Sequence, residues 1–173
     1  SKTIKDMGDK VRARDLMKKS NVPVVPGTNG KIKSITDAVK WANETGYPLM
    51  VKASGGGGGR GLRIARDEKE LVKGIETAQT EAKGAFGKSD VFIEKYVERP
   101  HHIEFQILAD KYGNIIHLGE RDCSIQRRHQ KIIEIAPSLL LDDDMRKKMG
   151  DAAIKAAKAA NYTNAGTVEF LVD

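Results

Sequence analysis

Five consecutive glycines at positions 55–59 are costly in chain entropy, and a folded protein keeps such a tract where side chains would obstruct a close approach. The usual reason is an anion on which backbone N–H groups must close from several directions. Gly56, Gly58 and Gly61 satisfy the G-x-G-x-x-G spacing, yet a strand and not a helix is expected after them, so a dinucleotide fold fails its context. There is no Gly-Lys-Ser/Thr, so the Walker phosphate loop fails as well. What is left is a strand–glycine loop–strand flap lowered over phosphates. Protein kinases use such a flap, but their His-Arg-Asp and Asp-Phe-Gly elements are missing here. The plainer and less favoured reading of the tract alone is a flexible surface turn. Lys52 shifts that balance, because it ends an apolar strand three residues before the first glycine, where an ammonium meets the same phosphates.

Other polar residues have two readings each. Glu169 lies between Val168 and Phe170, on the strand face it shares with Leu171. A carboxylate buried in such a strand is expensive unless it is paired or on a metal. His129 belongs to a basic cluster with Arg127, Arg128 and Lys131, which by itself is a solvated patch for any polyanion. His102, on the edge of an alternating strand, reads as structural, and Cys123 as a packed thiol with no activating neighbour.

The elements that must carry these residues follow from periodicity. Residues 5–20 read as one helix, with Met7, Val11, Leu16 and Met17 on its apolar side. Two prolines and two glycines make 21–30 an extended linker. A helix is expected over 36–45, burying Ala38, Trp41 and Ala42 and stopped by Gly46. Strands are expected at 49–51, 62–65 and 91–93, with a helix between the last two that opens on Asp67 and Glu70 and buries Leu71, Ile75, Ala78 and Ala82. In the second half, Ile103, Phe105 and Ile107 alternate with Glu104 and Gln106 as in a half-buried strand. The turn at 110–114 returns the chain into 115–118 as a hairpin. A strand at 132–133, an Ala-rich helix from acids 142–144 to Asn161 and a strand at 167–172 complete the pattern. That final strand reads as central, with two apolar faces.

Composition narrows the class. The 173 residues are 39% hydrophobic, 5% aromatic and 31% charged, enough for a core and too evenly mixed for a disordered polyelectrolyte. The net charge of +6 suits an anionic ligand, either a nucleoside triphosphate or nucleic acid. The few aromatics argue against stacking on single strands, and no nucleic-acid partner is expected. One cysteine excludes an internal disulfide. No apolar run approaches the roughly 20 residues of a membrane span, no membrane partner is expected, and no signal peptide opens the chain. A reducing compartment is the default.

The run Tyr47-Pro48-Leu49-Met50-Val51-Lys52-Ala53-Ser54 before the glycines resembles the ATP-grasp signature of carbamoyl-phosphate synthetases and biotin carboxylases. The stretch Glu120-Arg121-Asp122-Cys123-Ser124-Ile125-Gln126-Arg127-Arg128-His129-Gln130-Lys131 is similar to biotin carboxylase in particular. Glu94-Lys95-Tyr96-Val97, the 100–103 segment and Gly166-Thr167-Val168-Glu169-Phe170 agree in order and spacing, so the resemblance covers essentially the whole chain. It implies an α+β ATP-grasp fold with a small glycine-lid lobe and an incomplete antiparallel-sheet lobe. The implied division is a lead-in at 1–23, a lid subdomain at 24–96 with its loop at 54–61, and a C-terminal lobe at 97–173.

The resemblance also assigns roles. Lys10 and Lys52 would hold ATP phosphates under a lid containing Gly56, Gly57, Gly58 and Gly59. Glu94, Lys95 and Val97 would form the adenine hinge, and Met50, Leu62 and Leu171 would enclose the ring. His102 and Gln126 fall at ribose-side positions and His129 near the phosphates. Lys131 would place bicarbonate, and Glu169 would be the first of two glutamates on magnesium or manganese. His101 stands where the family usually has arginine. The implied parent transfers a carboxyl group from bicarbonate to biotin through carboxyphosphate, at the expense of ATP. Its implied partners are a biotinylated carrier domain and a carboxyltransferase, as a homodimer in the cytoplasm or, in a eukaryote, the mitochondrial matrix. The second magnesium glutamate and the groups that handle biotin would follow Asp173, so the chain alone is expected to be inactive. The alternatives are another ATP-grasp carboxylate ligase, or a non-catalytic nucleotide-binding or polyanion-binding module.

Overall fold

The computed structural model describes residues 2–53, 62–87, 90–128 and 130–173, and the chain divides into two compact units. One comprises Gly8–Asp15 and Val24–Val97, the other Ser1–Met7, Leu16–Pro23 and Glu98–Asp173. The expected helix over 5–20 is two helices, α1 (Lys2–Gly8) and α2 (Lys10–Lys19). Asp9 separates them, because its Oδ1 accepts from the N–H groups of Val11 and Arg12 at 3.0 and 3.1 Å and so caps the start of α2.

The first unit is a three-stranded antiparallel sheet in the order β2-β1-β3, with β1 at Leu49–Ala53, β2 at Arg63–Ala65 and β3 at Val91–Lys95. Helix α3 (Ile35–Thr45) is capped by Ser34, whose hydroxyl accepts from Asp37 N at 3.0 Å, and ends at Gly46. Helix α4 (Glu68–Phe86) is capped by Asp67, which accepts from Glu70 N at 2.7 Å, and ends on left-handed Gly87. Leu71, Ile75 and Ala78 of α4 and Ala38 and Ala42 of α3 bury themselves against Leu49, Val51, Ala65, Val91 and Ile93. Each fully buried Leu or Ile contributes about 1.5–3 kcal/mol relative to exposure. Strand alternation then dictates that Met50, Lys52, Ile64, Phe92 and Glu94 occupy the opposite face of the sheet.

The second unit is a four-stranded antiparallel sheet in the order β6-β5-β4-β7: β4 His101–Ala109, β5 Ile115–Arg127, β6 Gln130–Ile135 and β7 Asn164–Val172. Helix α5 (Asp143–Ala159), capped by Asp142, covers one face. Met149, Ala153 and Ala157 pack there on Ile103, Phe105 and Ile107, with Val168, Phe170 and Val172 beside them. The rings of His117 and Phe170 meet Phe105 edge-on at 5.4 and 5.8 Å. Gly150 permits this layer, since a Cβ there would stand 2.5 Å from His117 Nε2. A bulge between Phe105 and Ile107, opposite Gly119 at φ 89°, resets the β4–β5 register. Strand β7 has one apolar face, where two were expected. It pairs with β4 alone among the described strands, and Thr167, Glu169 and Leu171 on its second face are exposed.

Candidate functional site

In the first unit, the sheet face away from the helices gathers the residues with charge. Register sets Met50 opposite Glu94 and Lys52 opposite Phe92. Lys52 Nζ and Arg14 Nη1 engage different oxygens of the Glu94 carboxylate, the latter at 2.8 Å. Lys10 stands one helical turn before Arg14 on α2. Burial first, and then the charge of Lys52, push the Lys10 ammonium below its ordinary value, while Glu94 offsets them only in part. Two cations thus share one carboxylate, and a third, Lys10, feels the charge of both Lys52 and Glu94. Phosphate oxygens are the ligand chemistry that such an excess of positive charge suits.

The structure brings Lys10, Lys52, Met50 and Glu94 together, and gives Lys95 a different position. Lys95 lies opposite Leu49, on the helix side, where its Nζ donates to the carbonyls of Gly46 and Tyr47 at 3.1 and 2.9 Å. Its own N–H donates to Pro26 O at 2.7 Å. Leu62, just before β2, and Val97, just after β3, are half-buried. The glycines Gly56, Gly57, Gly58 and Gly59, and the whole loop at 54–61, lie outside the described residues, as does His129.

In the second unit the uncovered sheet face carries a network centred on Glu104. Its cross-strand neighbours are Arg121 on β5 and Glu169 on β7. Arg121 Nε donates to Glu104 Oε1 at 2.8 Å and its Nη1 to Gln106 Oε1 at 3.1 Å. Gln106 Nε2 in turn donates to Gly166 O at 2.9 Å, tying β7 to the network. Lys131 Nζ donates to both Glu104 and Glu169. The Glu104 side chain is 6% exposed and that of Glu169 58%. Burial alone would raise the Glu104 carboxyl, but the hydrogen bonds from Lys131 and Arg121 outweigh it and hold the group below its ordinary value. Burial would lower Lys131, and the two carboxylates overturn that, raising the ammonium well above the usual lysine range.

The same face holds His102 directly opposite Leu171, and Gln126 opposite Lys131. Gln126 folds its amide back to Cys123 O at 3.0 Å. Cys123 is fully buried, and desolvation, with Glu104 next, pushes its thiol up, which suits packing and not nucleophilic attack. Ligand atoms of Glu104, Cys123 and Glu134 lie within 4.8 Å of one another. Glu104 is already neutralised by two cations there, so the trio reads as a packed cluster. Glu169 fits a hard cation better. It is an exposed carboxylate, and magnesium takes one or two carboxylates together with phosphate oxygens.

Sequence reasoning missed Glu104, Arg121, Gln106 and Arg14 as members of these groups. Glu104 and Gln106 looked like the polar side of an alternating strand, and only the pairing of β4 with β5 and β7 gives that side its partners. Arg14 is separated from Glu94 by 80 positions, and no local pattern marks it.

The chain matches the family described as carbamoyl-phosphate synthase L chain, ATP binding domain, over residues 9–173. It is 58% identical to biotin carboxylase 1 of Bacillus subtilis over 170 residues, 98% of this chain and 38% of that protein. It is 57% identical to the chloroplastic biotin carboxylase 2 of Populus trichocarpa over 171 residues, 99% of this chain and 32% of that protein. Among solved structures, the biotin carboxylase domain dimer of Hydrogenobacter thermophilus 2-oxoglutarate carboxylase, in complex with MgADP, ADP and bicarbonate, matches with a TM-score of 0.91. That match has 57% identity and covers 99% of this chain and 38% of that one. The chain spans about a third of the length of the curated relatives it matches. The α+β architecture with its antiparallel sheets is shared with these biotin carboxylase domains.

Proposed function

Since the chain belongs to the carbamoyl-phosphate synthase L-chain ATP-binding domain family, we propose that it supplies the Mg·ATP-binding segment of a biotin carboxylase, the ligase that carboxylates biotin with bicarbonate and ATP. The observation that carries this reading is the Glu94 carboxylate shared by Lys52 and Arg14, beside which burial and the charge of Lys52 hold the Lys10 ammonium low. Lys10 and Lys52 hold the phosphates, and Met50, Leu62 and Leu171 enclose the adenine. Glu94, Lys95 and Val97 serve as its hinge, with His102 and Gln126 on the ribose side. Gly56, Gly57, Gly58 and Gly59 act as the lid, and His129 lies near the phosphates.

Phosphoryl transfer asks for positioning and charge neutralisation more than for covalent help. Bound magnesium would supply part of that neutralisation, with Glu169 as a ligand. Lys131 is held in place by Glu104, which keeps it charged and oriented for bicarbonate when Glu169 is engaged elsewhere. Bicarbonate attacks the γ-phosphate and displaces ADP to give carboxyphosphate, whose carboxyl group passes to a ureido nitrogen of biotin as phosphate leaves and carries off the ureido proton. The parent works with a biotinylated carrier domain and a carboxyltransferase, as a homodimer, in the cytoplasm or, in a eukaryote, the mitochondrial matrix. The dimer with MgADP and bicarbonate reported for the Hydrogenobacter domain supports this assignment.

Calorimetric titration of the chain with Mg·ADP and with tripolyphosphate tests the reading. Tighter binding of the nucleotide is expected. Equal affinities would remove the adenine assignment and leave a polyanion-binding module.

A further inference from the structure

Arg14 is a buried charge with no place in the roles assigned so far. Its side chain is 8% exposed, although a guanidinium stays charged at any pH a protein meets. Its two terminal nitrogens are committed in different directions: Nη1 to Glu94 Oε1 at 2.8 Å, and Nη2 to the carbonyl of Val25. Its Nε finds no partner among the described residues. The site is shaped for the fork. A Cβ on Gly27 would stand 2.5 Å from Nη1, 2.7 Å from Nη2 and 2.6 Å from Ile93 O, so only glycine at 27 lets the guanidinium lie flat against the backbone. Gly27 itself forms a bridge to Glu94, the residue that Arg14 holds.

The other oxygen of Glu94 is where Lys52 ends. Without Arg14, Glu94 and Lys52 would make a closed pair, each neutralising the other, and a phosphate would have to break it. With Arg14 in place, the carboxylate is already compensated on one oxygen, and the charge on Lys52 is left over for an anion. Lys10, one helical turn before Arg14 on α2, adds a second ammonium on which the charge of Lys52 weighs more than that of Glu94. We propose that Arg14 is a positioning residue that clamps Glu94 against Gly27 and thereby keeps Lys52 and Lys10 available to the phosphate groups of the ligand. This deepens the nucleotide reading and rests on it for the ligand's identity.

Inorganic tripolyphosphate is the probe, because it reports phosphate binding without the adenine. Titrated into the 173-residue chain, it should bind about tenfold more weakly to Arg14→Met than to the parent, the loss expected when a carboxylate regains its hold on a lysine. Adding Glu94→Gln to Arg14→Met should bring affinity back to within about threefold of Glu94→Gln alone, because no carboxylate is then left to compete. NMR titration of the 13C-methylated lysines gives a readout that packing does not move. Loss of Arg14 should raise the pKa of Lys10, since a positive charge one helical turn away has gone. Unchanged affinity and unchanged Lys10 titration in Arg14→Met would overturn the assignment. So would a loss that Glu94→Gln fails to relieve, which would make Arg14 a packing residue. Should Arg14→Met not fold, the double variant is compared with Glu94→Gln alone, and a further tenfold loss there overturns it. A parent that binds tripolyphosphate no less tightly than ADP defeats the adenine reading and leaves the clamp standing.

Discussion

Glu104 and Glu169 stand directly opposite each other on β4 and β7, and a single ammonium, that of Lys131, is hydrogen-bonded to both. Like charges facing across a strand pair repel, so the arrangement depends on the lysine. Lys131→Met is therefore expected to lower stability by about 2 kcal/mol, within the range for a charged hydrogen bond lost from a buried carboxylate. Arg121 still compensates Glu104, which keeps the cost below that of an entirely orphaned charge. Urea unfolding measures it, and a loss below about 0.5 kcal/mol, the level of an ordinary surface pair, would count against the network.

Glu104 should also mark the acid side of the stability curve. Burial raises its carboxyl, the bonds from Lys131 and Arg121 lower it further, and the net position is below the ordinary 4.5. A folded-state value below the unfolded one means that the unfolded chain takes up the proton first as pH falls. The stability that Glu104 contributes is thus fully present above about pH 4.5 and is lost as pH drops through the folded value. Glu104→Gln should flatten this limb while lowering stability at neutral pH. Denaturation midpoints between pH 3 and 7, compared with the parent, give the answer, and parallel curves would refute the linkage.

How much of this was legible beforehand depends on the distance over which the signal acts. Alternation along Ile103, Phe105 and Ile107 and the acid-capped helices at Asp67 and Asp142 are local patterns, and sequence periodicity reads them directly. The break at Asp9 is also local, yet the apolar spacing of Met7 and Val11 masks it until the side chain is seen capping α2. The position of Glu104 between Arg121 and Glu169 is different in kind. It follows from the register of three strands, and a slip of one residue would turn Glu104 into the core. Arg14 against Gly27 and Glu94 joins three distant segments, and nothing near any of them announces the others.

Gly27 offers a steric test of the Arg14 pocket. Gly27→Ala would place a methyl group 2.5 Å from Nη1 and 2.6 Å from a backbone oxygen, and the backbone cannot yield as a side-chain tip can. A loss of about 1–3 kcal/mol is expected, the cost of overpacking a well-filled site. Thermal unfolding checks it, and a variant as stable as the parent would show that the guanidinium has room to move.

Lys52→Ala should separate binding from folding. The lysine is on the face of β1 away from the helices and partly exposed, so its removal leaves the Leu49, Val51 and Ala53 side of the strand intact. Nucleotide affinity should fall by about 1.5–3 kcal/mol, the range for a charged hydrogen bond. Calorimetry with ADP and a parallel melt distinguish the outcomes. An unfolded variant, or one with full affinity, would assign Lys52 to structure alone.

Glu169→Gln tests whether the exposed carboxylate is kept for a ligand at the expense of the sheet. In the chain by itself Glu169 repels Glu104 across β4 and β7, and the bond it accepts from Lys131 comes from a lysine that Glu104 also holds. Neutralising it removes a repulsion and weakens a half-exposed ion pair, so stability should change by no more than about 0.5 kcal/mol in either direction. Binding should respond quite differently. If Glu169 is a magnesium ligand, the parent binds Mg·ADP more tightly than ADP, and the variant loses that difference while its affinity for metal-free ADP is retained. Paired titrations with and without magnesium read this directly. A variant in which magnesium still strengthens ADP binding as much as in the parent would move the metal away from Glu169, and its charge would then be explained by Lys131 alone.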